Sequence, residues 1–499
     1  MELDHADTKA LLAKNEEPYF DELPPPPQAS ASEGNAGHRV EFKDRAFAIA
    51  FGANLVVVTA LALFVGLPNV FSLYFTIHGD DASSTDRSVS HGIRIFCILV
   101  LTSCIGGGIS VLWLNVLQSH ASDAINITLR GSIAAMLVSS AIAFLDSGMG
   151  GRAVGFVNLF ISLWILVYYL SIRHTIAFAA SNLAAASRIL CEFPNLVSTA
   201  YLAIAIQALW TLIWSVAVVG VLAKSTIQFH DATSFGNVGF FFMLLSLFWF
   251  IEVVKNIVHC IAAGAVAEWW FGLHDATTVQ RSRIRATTFS LGSICLGSLV
   301  IATLSALKAV LLSTPRRKGR RSPNACLECI IKFVTRNIQY FNKFAFCHVA
   351  IYGKDFQSAG YDTMRIFRDR GWSSIINDTL ISSVLNVGAI VVGATSGAIG
   401  SAWVFMTMEC TVEESRQHPD QCETFNVVVL TFVATAAIGY AMCAIVSSVL
   451  ESIVATIFVC FASDPAALEQ AHPEEHNRLV DAWRRLKPEL LAFPSHGRV

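Results

Sequence analysis

GNVGFFFMLLSLFWFIEVVKNIVHCIAAGAVA, residues 236–267, is the stretch on which the fold turns. About 20 apolar residues in a helix cross roughly 30 Å of hydrocarbon, and this run exceeds that length. Lipid offers backbone N–H and C=O groups no partner, so a run so continuously apolar must satisfy them within itself, as a helix. Glu252, Lys255, Asn256 and His259 interrupt it. At about 100° per residue they share one stripe of roughly 120° with Trp249. Ionisable groups at that depth cost at least ~2.5–3.5 kcal/mol each on insertion scales and normally face the bundle interior. Two readings stand side by side. Glu252 and Lys255, at i and i+3, form an ion pair that neutralises itself beneath neighbouring helices. Alternatively, Glu252 is the counter-charge for a cation and His259 a proton relay, since His alone titrates near neutrality when unperturbed.

Working outward, eight further apolar runs occur at about 47–67, 93–117, 132–145, 154–172, 196–222, 287–312, 379–406 and 425–461. They are too long and too continuous for barrel strands, so the expected fold class is all-α, a polytopic transmembrane helix bundle. Composition agrees: 54% of the 499 residues are hydrophobic and 14% charged, with a mean hydropathy of +0.55. A soluble domain carries about 25% charged residues. Thirty-five Lys+Arg against 37 Asp+Glu give a net charge of −2, without a polybasic block long enough to cover a phosphate backbone, which argues against a nucleic-acid partner. No phosphate-binding glycine loop, HExxH or GxSxG is present, so the reading is of a protein that is not an enzyme, with no cofactor and no ATP-driven step. Cys326 and Cys329, with His348 as the nearest extra ligand, fall short of the four that zinc wants. They read as an inert or lipid-modified pair beside the membrane, not as a metal site.

Residues 1–45 are polar and rich in Pro, Ser and Gly, and read as a disordered cytosolic tail. Arg39, Lys43 and Arg45 precede the first span and place it on the positive, inner side. Residues 46–462 then form the transmembrane domain and 463–499 a cytosolic C-terminal tail. The loop 407–424 is acidic and contains Cys410 and Cys422; both features favour the outside, and the two cysteines are expected to form a disulfide. Parity then requires about ten spans. The additional crossing is 327–352, despite Lys332, Arg336, Asn337, Asn342 and Lys343, or else 287–312 is a re-entrant segment and 327–352 lies on the inner surface.

The stretches EVVKNIVHCIAAGAVAEWWF (252–271), LGSICLGSLVIA (291–302), FNKFAFCHVAIYGKDF (341–356), FRDRGW (367–372), IINDTLI (375–381) and TIFVCFASDP (456–465) resemble the choline transporter-like family over about residues 45–475. The short segment 68–92 after the first span is closer to the fungal and plant branch than to the animal one. The resemblance implies a ten-span solute carrier with both termini in the cytosol and choline or a related organic cation as substrate. One departure is Ala455, where many animal members carry an acidic residue.

A quaternary ammonium has no N–H to donate, so its recognition needs aromatic faces and negative potential. The expected substrate-binding residues are Trp210, Trp214, Trp249, Glu252, Asn256, Tyr340, Asn342 and Glu451, with His259 as proton relay and Glu252–Lys255 as an ion pair. For the tryptophans the alternative is packing or interface anchoring. Tyr340 and Asn342 line a path if 327–352 crosses and otherwise belong to an amphipathic surface face. Glu451 shares a face with Tyr440 and Ser447, and the alternative for it is the headgroup level. The resulting expectation is a multi-pass plasma-membrane transporter, surrounded by lipid, moving choline or a related organic cation by alternating access with a proton as candidate coupling ion. The alternative is a lipid-handling or scaffold membrane protein without solute transport.

Overall fold

A computed structural model describes residues 42–68, 176–228, 233–313, 324–369, 377–407 and 424–486 continuously, and scattered helical positions from 108 to 171. Among the described residues there are helices and no strands. The long ones follow the apolar runs. They are α1 (Arg45–Leu61, continued by a π turn over Ala62–Gly66), α3 (Asn195–Gln228), α4 (Thr233–Trp270), α6 (Leu291–Ser313), α9 (Asn377–Thr407) and α10 (Thr424–Ser463). All six contain stretches long and apolar enough to cross a membrane. The count of ten is not established by these six: most of 93–117 and parts of 132–145 and 154–172 fall outside the described residues, as do Cys410 and Cys422.

The segment 327–352 forms α7 (Asn324–Tyr352). It carries too many charges to rank among the six, yet its second half is buried from Phe344 to Val349. Asn342 meets Gly297 of α6, and Phe356, just beyond α7, shares Asp44 with Ser293 near the start of α6. As the chain advances along α7 its contacts move back along α6, so the two helices are antiparallel. α6 itself is one continuous helix of 23 residues, roughly 35 Å long, that does not turn back on itself. The re-entrant alternative for 287–312 is therefore not what is observed.

α10 is the central helix. Of its apolar stretch 83% is buried, against 17% for those of α1 and α3, which present theirs outward. It pairs most closely with α9 through small residues. A side-chain carbon at Gly393 would sit 2.7 Å from the Ala436 carbonyl oxygen, and one at Gly400 2.7 Å from Thr435 Oγ1. Glycines at this helical spacing let two backbones approach as membrane helices commonly do, where dispersion between close surfaces replaces a hydrophobic drive.

Among the described residues, five shorter helices lie outside the apolar runs: α2 (Ile176–Glu192), α5 (Thr278–Thr287), α8 (Phe356–Asp369), α11 (Pro465–Ala471) and α12 (Pro473–Leu486). They gather with the N-terminus of α1 and the C-termini of α4, α7 and α10 at one end of the bundle, termed the basal end. The start of the C-terminal tail is folded there. Trp270 donates to the Asp464 carbonyl, the His472 ring stacks on Trp269 with centroids 4.2 Å apart, and Arg188 pairs with Glu475 at 2.7 Å. Asp464 caps α11 by accepting from the N–H groups of Ala466 and Ala467, with Pro465 at the first turn.

Candidate functional site

The polar stripe of α4 divides in space. Asn256 and His259 are buried, the Glu252 side chain is 13% exposed, and that of Lys255 is 58% exposed. Lys255 Nζ stands 3.5 Å from Glu252 Oε2, so the i,i+3 pair exists but its cationic end reaches away from the core. Asn256 Nδ2 donates to Ser298 Oγ of α6 at 2.9 Å, and Asn342 Nδ2 of α7 donates to the Gly297 carbonyl at 3.1 Å. His259 lies between α7 and α10, with Nδ1 2.8 Å from Ser452 Oγ and Nε2 2.8 Å from the Lys343 carbonyl oxygen. Cys347 Sγ is 3.6 Å from His259 Nε2 and 3.6 Å from Thr456 Oγ1. Three long apolar helices, α4, α6 and α10, and the more polar α7 thus meet along one buried polar seam, where low dielectric strengthens every hydrogen bond and penalises every missing one.

The tryptophans take a different arrangement. Trp210 stacks on Phe250 with centroids 4.6 Å apart, Phe250 stacks on Phe51 at 6.1 Å, and Phe51 meets Trp249 edge-on at 5.3 Å. Trp210 and Trp249 are thereby brought into one cluster, with two phenylalanines between them. The Trp249 indole donates to the Cys295 carbonyl and that of Trp214 to the Met243 carbonyl, so both nitrogens are committed to backbone. Trp249 precedes Glu252 by one helical turn and joins the aromatic cluster to the polar seam. Tyr340 lies on α7 one turn before Lys343. Glu451 is half-buried beside Ser452 on α10, while Tyr440, on the same helix, donates to Asn386 Oδ1 of α9 at 2.9 Å.

Ser298, Ser452, Thr456, Cys347 and the Lys343 carbonyl escaped the sequence reading. The only available signal was the spacing Ser448, Ser452, Thr456, one hydroxyl per turn of α10.

At the basal end, Glu268 accepts from two arginines of α5: Arg281 on Oε2 and Arg285 on Oε1, both at 2.7 Å. Arg281 also holds Asp275 at 2.7 Å. That bond first, and the Thr277 hydroxyl and N–H next, bring the Asp275 carboxyl from 3.8 to about 2. A depressed carboxylate contributes stability that is complete above its ordinary value and is lost as pH falls through the folded one, here between 3.8 and about 2. Asp275→Asn is therefore expected to unfold at a lower temperature than wild type at pH 5 and to converge on it as pH drops toward 2. A gap that stays constant over that interval would contradict the assignment.

Long apolar helices around a buried polar seam define an integral membrane protein of the polytopic helical class. The chain belongs to the choline transporter family: the family model described as plasma-membrane choline transporter matches residues 156–466. Membership supports a transporter role. A CTL-like protein of Dictyostelium discoideum is 26% identical over 445 residues, 87% of this chain and 74% of that protein. Protein PNS1 of Debaryomyces hansenii is 22% identical over 492 residues, 94% of this chain and 92% of its own. Protein PNS1 of Gibberella zeae is 29% identical over 256 residues, 49% of this chain and 45% of that relative, so less than half of it is spanned. The resemblance carried by the sequence motifs, including its fungal leaning, agrees with these matches.

Proposed function

We propose that this protein moves choline or a related organic cation across the plasma membrane by alternating access, exchanging it for a proton. The observation that carries the reading is the seam: Glu252, Asn256 and His259 on one helix, beside the Trp249 face, in a chain of the choline transporter family. Burying a carboxylate beside a lysine is at best energetically neutral against two apolar residues, so packing gives no reason to keep the pair. The exposed position of Lys255 favours a pair that opens. An arriving quaternary cation competes with Lys255 for Glu252 and rests against Trp249, while His259, two turns further along α4, takes or releases a proton. In this reading α7 crosses the membrane, the basal end faces the cytosol, and the acidic segment 407–424 with Cys410 and Cys422 lies outside as a disulfide loop.

The test is uptake of labelled choline by proteoliposomes with and without a pH gradient. Glu252→Gln is expected to reduce uptake to background while the protein still folds and reaches the membrane, and His259→Ala to remove the response to the gradient. Normal transport by Glu252→Gln would make the ion pair structural and end this mechanism.

A further inference from the structure

We propose that Ser452 is a proton-positioning residue whose hydroxyl turns over as His259 gains and loses a proton, so that the buried imidazole is fully hydrogen-bonded in both states. The inference rests on the reading of His259 as a proton relay and adds the residue that makes the relay work without moving the helices.

Which atoms can donate fixes where the ring carries its hydrogens. The Lys343 carbonyl oxygen, 2.8 Å from His259 Nε2, accepts only, so Nε2 carries a hydrogen in either charge state. A bare Nε2 would set two lone pairs against each other at that distance, and the Cys347 thiol 3.6 Å away is too weak a donor to offset this. The neutral ring is therefore the Nε2–H tautomer, and its Nδ1 needs a donor. Ser452 Oγ is the atom at 2.8 Å. The same oxygen lies 2.9 Å from the Ser448 carbonyl, one turn back on α10. With His259 neutral, the Ser452 hydroxyl donates to Nδ1. With His259 charged, Nδ1–H donates to Ser452 Oγ and the hydroxyl hydrogen swings to the Ser448 carbonyl. In the exchange proposed above, the Nδ1–H bond forms as a hydronium O–H bond breaks on the side to which the site is then open, and the reverse step returns the proton to water on the other side. No other bond is made or broken, and no heavy atom has to move.

The charged and titratable groups around the ring are Lys255 on α4 itself and Lys343 and Cys347 on α7. α10 contributes the hydroxyls of Ser452 and, through Cys347, Thr456; α6 reaches the stripe through Ser298 on Asn256. Lys255 is paired with Glu252, and Glu451 stands next to Ser452 on α10; at the ring nitrogen itself, the Ser452 hydroxyl is the group that accommodates the incoming proton. A second consequence is that α4, α7 and α10 are held at one point, so a change in His259 is felt by three helices at once.

A hydrogen bond to a charged group contributes more than one to a neutral group, so losing the hydroxyl weakens the charged state more. Ser452→Ala is expected to move the pH midpoint of choline uptake by about one unit toward acid, a difference of roughly tenfold in proton affinity. Ser452→Thr, which keeps the hydroxyl, is expected to restore the wild-type profile. If His259→Ala keeps its pH response, the relay reading itself fails. If His259→Ala loses that response while Ser452→Ala has the wild-type midpoint, the relay stands and the role given to Ser452 is overturned. A readout independent of how Ser452→Ala folds is solid-state NMR of wild-type protein with ¹⁵N-histidine in bilayers, the His259 signals being those absent from His259→Ala. The Nε2–H tautomer is expected for the neutral ring; an Nδ1–H tautomer would overturn the proposal.

Discussion

Glu268→Ala is expected to destabilise the protein by about 3–5 kcal/mol, the usual consequence of breaking a buried ion pair from one side. The carboxylate is 11% exposed and has a separate arginine on each oxygen. Removing it leaves Arg285, held below its ordinary value chiefly by burial, as an uncompensated charge against α4. Arg281 retains Asp275, so the loss concentrates on Arg285. The two helices are close at this point: a carbon added at Gly264 of α4 would lie 2.8 Å from Ser282 Oγ and 3.3 Å from Arg285 Nη2 of α5. The exposed pair of Arg478 with Glu474 on α12 serves as contrast, since pairs of that kind contribute only about 0.2–1 kcal/mol. Thermal unfolding of purified protein in detergent would separate them. Glu474→Ala should unfold like wild type and Glu268→Ala far earlier; equal midpoints for the two would show that the basal clasp is not what holds α5.

Much of the fold is legible in the sequence because lipid imposes one rule, that backbone groups be satisfied within the segment, and long apolar runs such as 236–267 obey it visibly. The division of the polar stripe is less so. Spacing puts Glu252, Lys255, Asn256 and His259 on one side of α4, but the atoms that Asn256 and His259 meet on three other helices are two serine hydroxyls, a thiol and a backbone carbonyl. A serine in an apolar helix looks the same whether it bonds its own turn or another helix, and Ser452 does both. The aromatic cluster shows a similar limit. Trp210 and Trp249 do come together, yet Phe51 and Phe250, which connect them, look in the sequence like any other lipid-facing phenylalanine. The basal helices are hidden for another reason: they are short and charged, and hydropathy over a spanning length averages them away. α12 becomes a helix with a purpose only when Glu475 reaches Arg188, 287 residues back in the chain.

Gly292→Ala is expected to cost at least about 3 kcal/mol, although glycine to alanine within a helix ordinarily gains up to ~1 kcal/mol. The carbon it adds would fall 2.5 Å from the Asp44 carbonyl oxygen and closer still to that of Lys43. These are backbone atoms, and they cannot swing aside as a side chain can. Asp44 is itself held at φ 50°, a left-handed conformation that non-glycine residues seldom adopt. It is fixed by its carboxylate, which accepts from Ser293 Oγ at 2.7 Å and from the Phe356 N–H at 3.1 Å, the first residue of α8. Lifting the chain from α6 to admit a methyl group therefore breaks two bonds to the Asp44 carboxylate, each contributing roughly 1.5–3 kcal/mol, one of them the tie to the first residue of α8. The control is Gly52 on α1, around which nothing lies within 4 Å. Gly52→Ala is expected to unfold at or slightly above the wild-type temperature, and Gly292→Ala well below it, with faster proteolysis ahead of residue 44. Equal loss in both variants would mean that helix α1 does not tolerate change anywhere. Equal retention would mean that the contact of Asp44 with α6 is not what anchors the first span, and the tethering of α1, α6 and α8 through one carboxylate would have to be given up.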